Sequence, residues 1–120
     1  MVISETSLTP LFIQIAEWIE DEILKNNILE EEQIPSTNQF ATLYKINPAT
    51  AGKGMNLLVD EGIVYKKRGI GMFVNTGAKG IIIKKRKDKF LKESVKKLVI
   101  EAEQLGINKE EIIEIIRGLI

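Results

Sequence analysis

Apolar side chains recur at three- and four-residue spacing from early in the chain. Leu8, Leu11, Phe12, Ile15, Ile19 and Ile23 form one stripe with acidic residues opposite, which predicts an amphipathic helix over residues 10–26. Pro10 suits the first turn, where its missing N–H costs nothing, Thr9 is placed to cap it, and Asn26-Asn27 ends the pattern. Residues 28–35 are too short and polar for a core helix and read as a connector or a short edge strand. Ser36 with Gln39 three residues on has capping-box spacing and opens a short second helix, with Phe40, Leu43 and Tyr44 as its inner face. Asn47-Pro48 is another start signal. That helix runs to about Glu61, turns Met55, Leu58 and Val59 inward, and stops at Gly62. Gly52 and Gly54 inside it cost about 1 kcal/mol each relative to alanine, so they call for the close approach of another surface.

The period then changes. Ile63–Lys67 and Met72–Val74 are β-prone runs joined by Arg68-Gly69-Ile70-Gly71, a hairpin with a basic tip. After Gly77 a long helical pattern follows. Leu91, Val95, Leu98, Ala102 and Leu105 alternate four- and three-residue steps, the seam of paired helices, and Gly106 ends it. Asn108 and Glu111 cap a last helix whose apolar face is Ile112, Ile115, Ile116 and Leu119. The expected fold is mainly α with a small β-hairpin: a winged helix-turn-helix in residues 1–75, followed by two C-terminal helices in residues 76–120. The second part cannot build a core alone. A second copy of the chain is its simplest partner, through Leu91, Val95, Leu98, Ala102, Leu105, Ile112 and Ile116.

Composition removes most chemistry. The 120 residues include no Cys and no His, which excludes disulfide frameworks, Cys/His zinc sites and the usual nucleophile–base pairs. With no convergent carboxylate pair either, no enzyme is expected. Gly69-x-Gly71 is followed by neither a helix nor Gly-Lys-Ser/Thr, so it is not a phosphate-binding loop. The run Glu30-Glu31-Glu32 lacks a second ligand set for a metal and reads as an exposed loop. No cofactor and no metal are expected. Apolar runs fall far short of the ~20 residues of a membrane span, and Met1-Val2-Ile3-Ser4-Glu5 has no basic start to a leader, so the expected location is the cytoplasm.

Lys+Arg and Asp+Glu both number 17, and the net charge is zero. That balance argues against a polyanionic partner until it is resolved along the chain. Residues 1–44 hold one cation against eight anions, a net −7, whereas residues 45–90 hold eleven cations against three anions, a net +8. A basic block is a local electrostatic footprint for a polyanion. The same charges also fit a solvated helix face and a charged hairpin.

Within the expected helix-turn-helix, Ser36–Glu61, the start of the second helix is the part that enters a major groove. Thr50 and Lys53 are its exposed polar candidates, and small residues at 49, 51, 52 and 54 would let the backbone approach DNA. A helical hairpin with a purely structural role fits the same pattern. Lys66, Lys67 and Arg68 beside a glycine-rich tip suit phosphate and minor-groove contacts, and a solvated turn is the alternative. Lys84–Lys87 reads first as a solvated helix face. Trp18 and Met55 read as core.

The stretches Pro10-Leu11-Phe12-x-Gln14-Ile15, Ile34-Pro35-Ser36, Ile46-Asn47-Pro48-x-Thr50, Glu61-Gly62-Ile63-Val64-Tyr65 and Arg68-Gly69-x-Gly71-x-Phe73-Val74 resemble the GntR family of bacterial transcription regulators. The Asn-Pro-x-Thr opening and the short helical tail resemble its YtrA-like subfamily. The resemblance implies a homodimeric repressor that binds double-stranded DNA at a near-palindromic operator and acts on a neighbouring transporter operon. It implies DNA contacts from Ser36, Thr37 and Asn38, from Asn47, Thr50 and Lys53, and from Arg68, Gly69 and Gly71. Three positions depart from the family pattern: Asn38 replaces a usual Arg, Ala51 a branched residue and Met72 a Thr. Asn38 loses a permanent, bidentate charge but can pair with an adenine edge. A winged-helix adaptor that binds protein in place of DNA is the competing expectation, and no small-molecule effector is named by the residues.

Overall fold

A computed structural model describes Ser4 and residues 6–120; Met1-Val2-Ile3 and Glu5, in the segment where no leader is expected, lie outside the described residues. The elements run α1 (Leu11–Leu24), β1 (Gln33–Ile34), α2 (Thr37–Tyr44), α3 (Pro48–Asp60), β2 (Val64–Lys67), β3 (Gly71–Val74), α4 (Ala78–Lys89), a π-helical segment (Phe90–Val95), α5 (Lys96–Gln104) and α6 (Lys109–Leu119). This is the winged helix-turn-helix followed by C-terminal helices. The wing is broader than a hairpin. β1 adds to its free edge, giving an antiparallel sheet of order β1-β3-β2 with Ile34 opposite Met72 and Val64 opposite Val74.

The core of the first unit is the apolar stripe closed on the sheet. Ile15, Ile19 and Ile23 of α1 meet Phe40 of α2, Met55 and Leu58 of α3, and Val64 and Val74 of the strands, all buried. Leu8 and Leu43 do not join it and are exposed. Leu8 precedes the first helical residue, and Leu43 falls on the outer face of a helix only two turns long. Thr9 does not cap α1. Pro10 itself takes the cap position, with an extended ψ of 147° and no side-chain cap. Its carbonyl accepts from Ile13 N and Gln14 N, and the Gln14 amide holds the Thr9 carbonyl at 2.8 Å.

The other caps form as expected. Gln39 N donates to Ser36 Oγ at 3.1 Å, and Ser36 N donates back to Gln39 Oε1 at 2.9 Å. Between α2 and α3, Lys45 adopts a left-handed φ of 54° and Ile46 N returns to the Ala41 carbonyl, which closes α2 and presents Asn47 to α3.

Gly54 is where α1 and α3 touch. A Cβ there would stand 2.9 Å from the Phe12 carbonyl oxygen and 3.1 Å from Ile15 Cγ2, whereas at Gly52 it would stand 3.7 Å from Thr37 Cγ2. The two glycines should therefore respond oppositely to alanine. Gly54→Ala gains helix propensity of about 1 kcal/mol but meets backbone, an overpacking cost of about 1–3 kcal/mol, and should lower Tm. Gly52→Ala finds ordinary contact and should hold or raise it. Thermal unfolding followed by circular dichroism decides; a stabilised Gly54→Ala would mean that α1 and α3 have room to separate.

The first compact unit ends at Ile83, later than the boundary expected at residue 75. Ala78 and Ile82, in the first turns of α4, are fully buried in its core. The second unit, Lys84–Ile120, is a helical hairpin. Gly106, at φ 70°, and Ile107 N bonded to the Ala102 carbonyl end α5. Asn108 and Glu111 form a reciprocal cap that starts α6.

Candidate nucleic-acid interface

The expected DNA-facing residues lie at two helix starts and one hairpin tip. At the start of α2, Ser36 is occupied in its capping box and Asn38 is exposed. Thr37 is half-buried with its methyl against Gly52, so it also fixes the spacing of α2 and α3. At the start of α3, Asn47 Oδ1 accepts from Ala49 N at 2.8 Å, which leaves the amide NH2 as an outward donor. Thr50 is half-buried. Lys53 is exposed, with Nζ 5.4 Å from the centre of the Phe12 ring. Phe12 thereby holds the ammonium over an aromatic face, an interaction worth about 0.5–1 kcal/mol at exposed sites. Of the small residues expected to admit DNA, Ala51 and Gly54 are buried on the inner face of α3; their size serves helix packing.

In the wing, Tyr65 and Phe73 stack across the strands with centroids 5.8 Å apart, and Lys67 Nζ lies 4.6 Å from the Phe73 centroid. Lys66 Nζ reaches Asn56 Oδ1 of α3 at 3.5 Å. Ile70 N closes the tip on the Lys67 carbonyl, with Gly69 at φ 76°, the position that a type II turn reserves for glycine. Gly71, at φ 149°, has a structural reason: Gln33 Nε2 donates to the Ile70 carbonyl at 3.1 Å, and a Cβ on Gly71 would collide with that amide. Arg68 is exposed at the tip.

The acidic run is more than an exposed loop. Glu31 Oε1 accepts from Tyr65 OH at 2.6 Å and its Oε2 from Thr76 Oγ1 at 2.9 Å, which ties the loop to the base of the wing. These bonds, Tyr65 first, hold the Glu31 carboxyl below its ordinary value of 4.5. The same carboxylate holds the Tyr65 hydroxyl above its ordinary value of 10.0. A depressed carboxylate stabilises the fold above its unfolded pKa and loses that as pH falls through the folded one. A raised phenol stabilises below its unfolded pKa and loses that as pH rises. Tyr65→Phe should therefore lower Tm across the neutral range, and the deficit should close below the ordinary carboxylate range and above pH 10. A deficit that persists unchanged into acid would place the cost in packing.

The residues expected at a dimer interface separate in the structure. Leu98 and Ala102 of α5 and Leu105 just after it line one apolar groove with Ile112, Ile115, Ile116 and Leu119 of α6. Leu91 and Val95 lie in the π-helical segment and do not line it. A π turn takes more residues than an α turn, so the seven-residue seam loses phase there. Ala102 is already buried, while Leu98, Leu105, Ile115, Ile116 and Leu119 are exposed. In the basic run, Lys84 and Lys87 are exposed and Lys85 and Arg86 half-buried. Among the described residues no group of three or more acidic residues could hold a metal ion, and no helix is long and apolar enough to cross a membrane.

Sequence reasoning missed Phe12 and Asn56 as partners of the basic residues, and Gln33 as the partner of the wing tip's backbone. Phe12 was already in the helical stripe and has a side to spare. Gln33 has no local signal, because its partner Ile70 is 37 residues away.

A family model for bacterial regulatory proteins of the gntR family matches residues 12–74. The chain is 31% identical over 117 residues to the HTH-type transcriptional repressor YtrA of Bacillus subtilis (strain 168), spanning 98% of this chain and 89% of that protein. A solved structure described as a transcriptional regulator of the GntR family from Bacteroides thetaiotaomicron superimposes with a TM-score of 0.79 at 37% identity, covering 90% of this chain and 94% of that one. The DNA-binding domain of AraR, solved in complex with operator ORX1, superimposes with a TM-score of 0.52 at 30% identity, covering 62% of this chain and 88% of that one.

Proposed function

The chain belongs to the GntR family of bacterial DNA-binding transcription regulators and is not an enzyme, and from that premise we propose that it is a homodimeric repressor acting on a near-palindromic operator. The observation that carries the reading is local to the first unit. One folded core carries the α3 start, with Asn47, Thr50 and Lys53, and a wing that ends in Lys66, Lys67 and Arg68. In this reading residues 1–75, extended by the first turns of α4, bind DNA, and residues 76–120 pair two chains. The α3 start reads bases in the major groove. Ser36 and Asn38 take part from α2, with Thr37 beside them. Lys66, Lys67, Arg68 and the Gly69 and Gly71 backbone follow the phosphates and the minor groove. The name of the Bacillus relative supports repression, and the operator complex of the AraR domain supports the docking surface.

Pairing is supported by the groove between α5 and α6. A row of exposed Leu and Ile side chains on so small a unit marks an interaction surface, and a second copy meets it with the same chemistry. The regulator acts where the chromosome is, in the cytoplasm, and in this reading on a transporter operon beside its own gene. Fluorescence anisotropy with DNA from upstream of that gene tests it. Affinity should fall steeply and log-linearly with salt, and deletion of the gene should raise transcripts of its neighbours. No salt-sensitive binding to any fragment of that region would refute the reading.

A further inference from the structure

The wing tip presents an apolar side chain where its turn asks for none. Val64, Met72 and Val74 of the wing strands are buried, whereas Ile70 between the strands is 66% exposed. The turn's own demand falls on Gly69, whose φ is 76°. Ile70 is nevertheless held at both ends of its backbone. Its N–H donates to the Lys67 carbonyl at 2.9 Å, and its carbonyl accepts from Gln33 Nε2 of β1 at 3.1 Å. Glycines stand on either side of it in the chain, so neither neighbour has a side chain to cover it. A Cβ at Gly69 would meet nothing within 4 Å, so that flank of the tip is open. Lys66, Lys67 and Arg68, all exposed, lead up to it. The result is a fixed, uncovered aliphatic branch beside three cations. A DNA duplex offers a match for both: phosphates on the outside, and apolar base faces between its stacked pairs.

We propose that Ile70 is an apolar wedge that enters the minor groove and parts two stacked base pairs, so that the protein selects a flexible pyrimidine–purine step beneath the wing. This role presupposes the DNA binding proposed above and adds a residue that selects sequence without a hydrogen bond. The cations bring the tip to the phosphates. The aliphatic branch cannot bond a base edge, so its gain comes from leaving water for the base faces. Parting a stack costs least at TA and CA/TG steps, and that difference becomes a sequence preference. The Gln33 bond matters here because a wedge acts only where its backbone does not yield.

The probe is a duplex that the full chain recovers from a randomised pool, with single adenines replaced in turn by 2-aminopurine, which brightens when it unstacks. Binding should brighten one step outside the bases that α3 reads. With TA at that step the chain should bind at least about tenfold more tightly than with the stiffer AA, within the usual cost of one wrong base pair. Ile70→Ala should abolish the brightening and bring the two duplexes within about twofold of each other, with the salt slope unchanged because no phosphate contact is lost. Ile70→Leu should keep both effects. Ile70 is exposed, so neither variant should alter Tm. Tight binding with no brightened step would overturn the proposal. So would brightening that survives Ile70→Ala, or an equal loss on both duplexes, which would make Ile70 a plain contact. These failures leave the repressor proposal standing, because affinity and salt slope are read on the same duplexes. Recovery of no duplex with salt-sensitive binding would overturn both.

Discussion

Replacing Lys66, Lys67 and Arg68 together with alanine is expected to weaken operator binding by about 10²-fold at 0.15 M salt and to flatten the salt dependence by between two and three units of log–log slope. Each phosphate contact contributes a slope of about −0.9. At 0.15 M, the loss of one such contact costs a factor of about five to six on that basis, and three compound to about 10². The structure gives each cation a reason to be effective. Lys67 is held over Phe73, and Lys66 leans on Asn56 of α3, so part of the ordering cost is met before DNA arrives. Arg68 stands at the tip, where a planar, weakly hydrated guanidinium suits a narrow minor groove. All three are exposed and outside the core, so Tm should move little, within the ±0.5 kcal/mol usual for surface sites. Anisotropy over a salt series gives affinity and slope together. A variant that folds, keeps its slope and keeps its affinity would remove the wing from the DNA interface and favour the adaptor reading. Lys53→Ala should take about one unit of slope by itself.

Much of the fold was written in short-range chemistry. Ser36, Asn47 and Asn108 announce helix starts because a side-chain oxygen satisfies a backbone N–H two or three residues away, and that geometry needs no tertiary context. The stripe Ile15, Ile19, Ile23 needs only a helical period to become a buried face. What failed was decided by distant partners. Leu43 has the right period in a two-turn helix but no surface opposite it. Gly54 is small because of Phe12 and Ile15, on a different helix, and Ala51 because it is buried in the core; nothing at 51 or 54 distinguishes that cause from a DNA contact. The short edge strand read as one alternative for residues 28–35 is β1, and it forms because β3 offers a free edge. The π-helical segment breaks a seam that is continuous on paper, since a seven-residue spacing describes an interface only while the helix stays regular. For the candidate site, the residue types were legible and their supports were not. Lysines and glycines stand out in the sequence, whereas Phe12, Asn56 and Gln33 acquire their roles only when the chain folds.

Leu98→Glu combined with Ile116→Glu is expected to give a monomer with at least about 10²-fold weaker operator affinity. The two side chains face one groove from α5 and α6 and are 45% and 41% exposed, so each has area left to bury against a partner. Burying such a side chain fully is worth about 1.5–3 kcal/mol. The substitutions remove that twice in each protomer, and pairing would then draw four carboxylates together out of water. The effect on DNA follows from linkage. In a dimer the second half-site is met at a high effective concentration, and separating the two halves forfeits a factor of about 10²–10⁴ without touching one DNA contact. The first unit keeps its own core, so its thermal transition should survive. Sedimentation at micromolar concentration reads the assembly, and anisotropy on a full operator against a half-site reads the coupling. The full-site advantage should vanish, while half-site affinity stays as it was. A variant that still sediments as a dimer would move the interface off this groove, to a second apolar depression between α5 and α6 lined by Val99, Ile107 and Ile113. Loss of half-site binding as well would show that the charges had disturbed the first unit, and Leu105→Glu, at a position 75% exposed beside the same groove, would then separate the two effects.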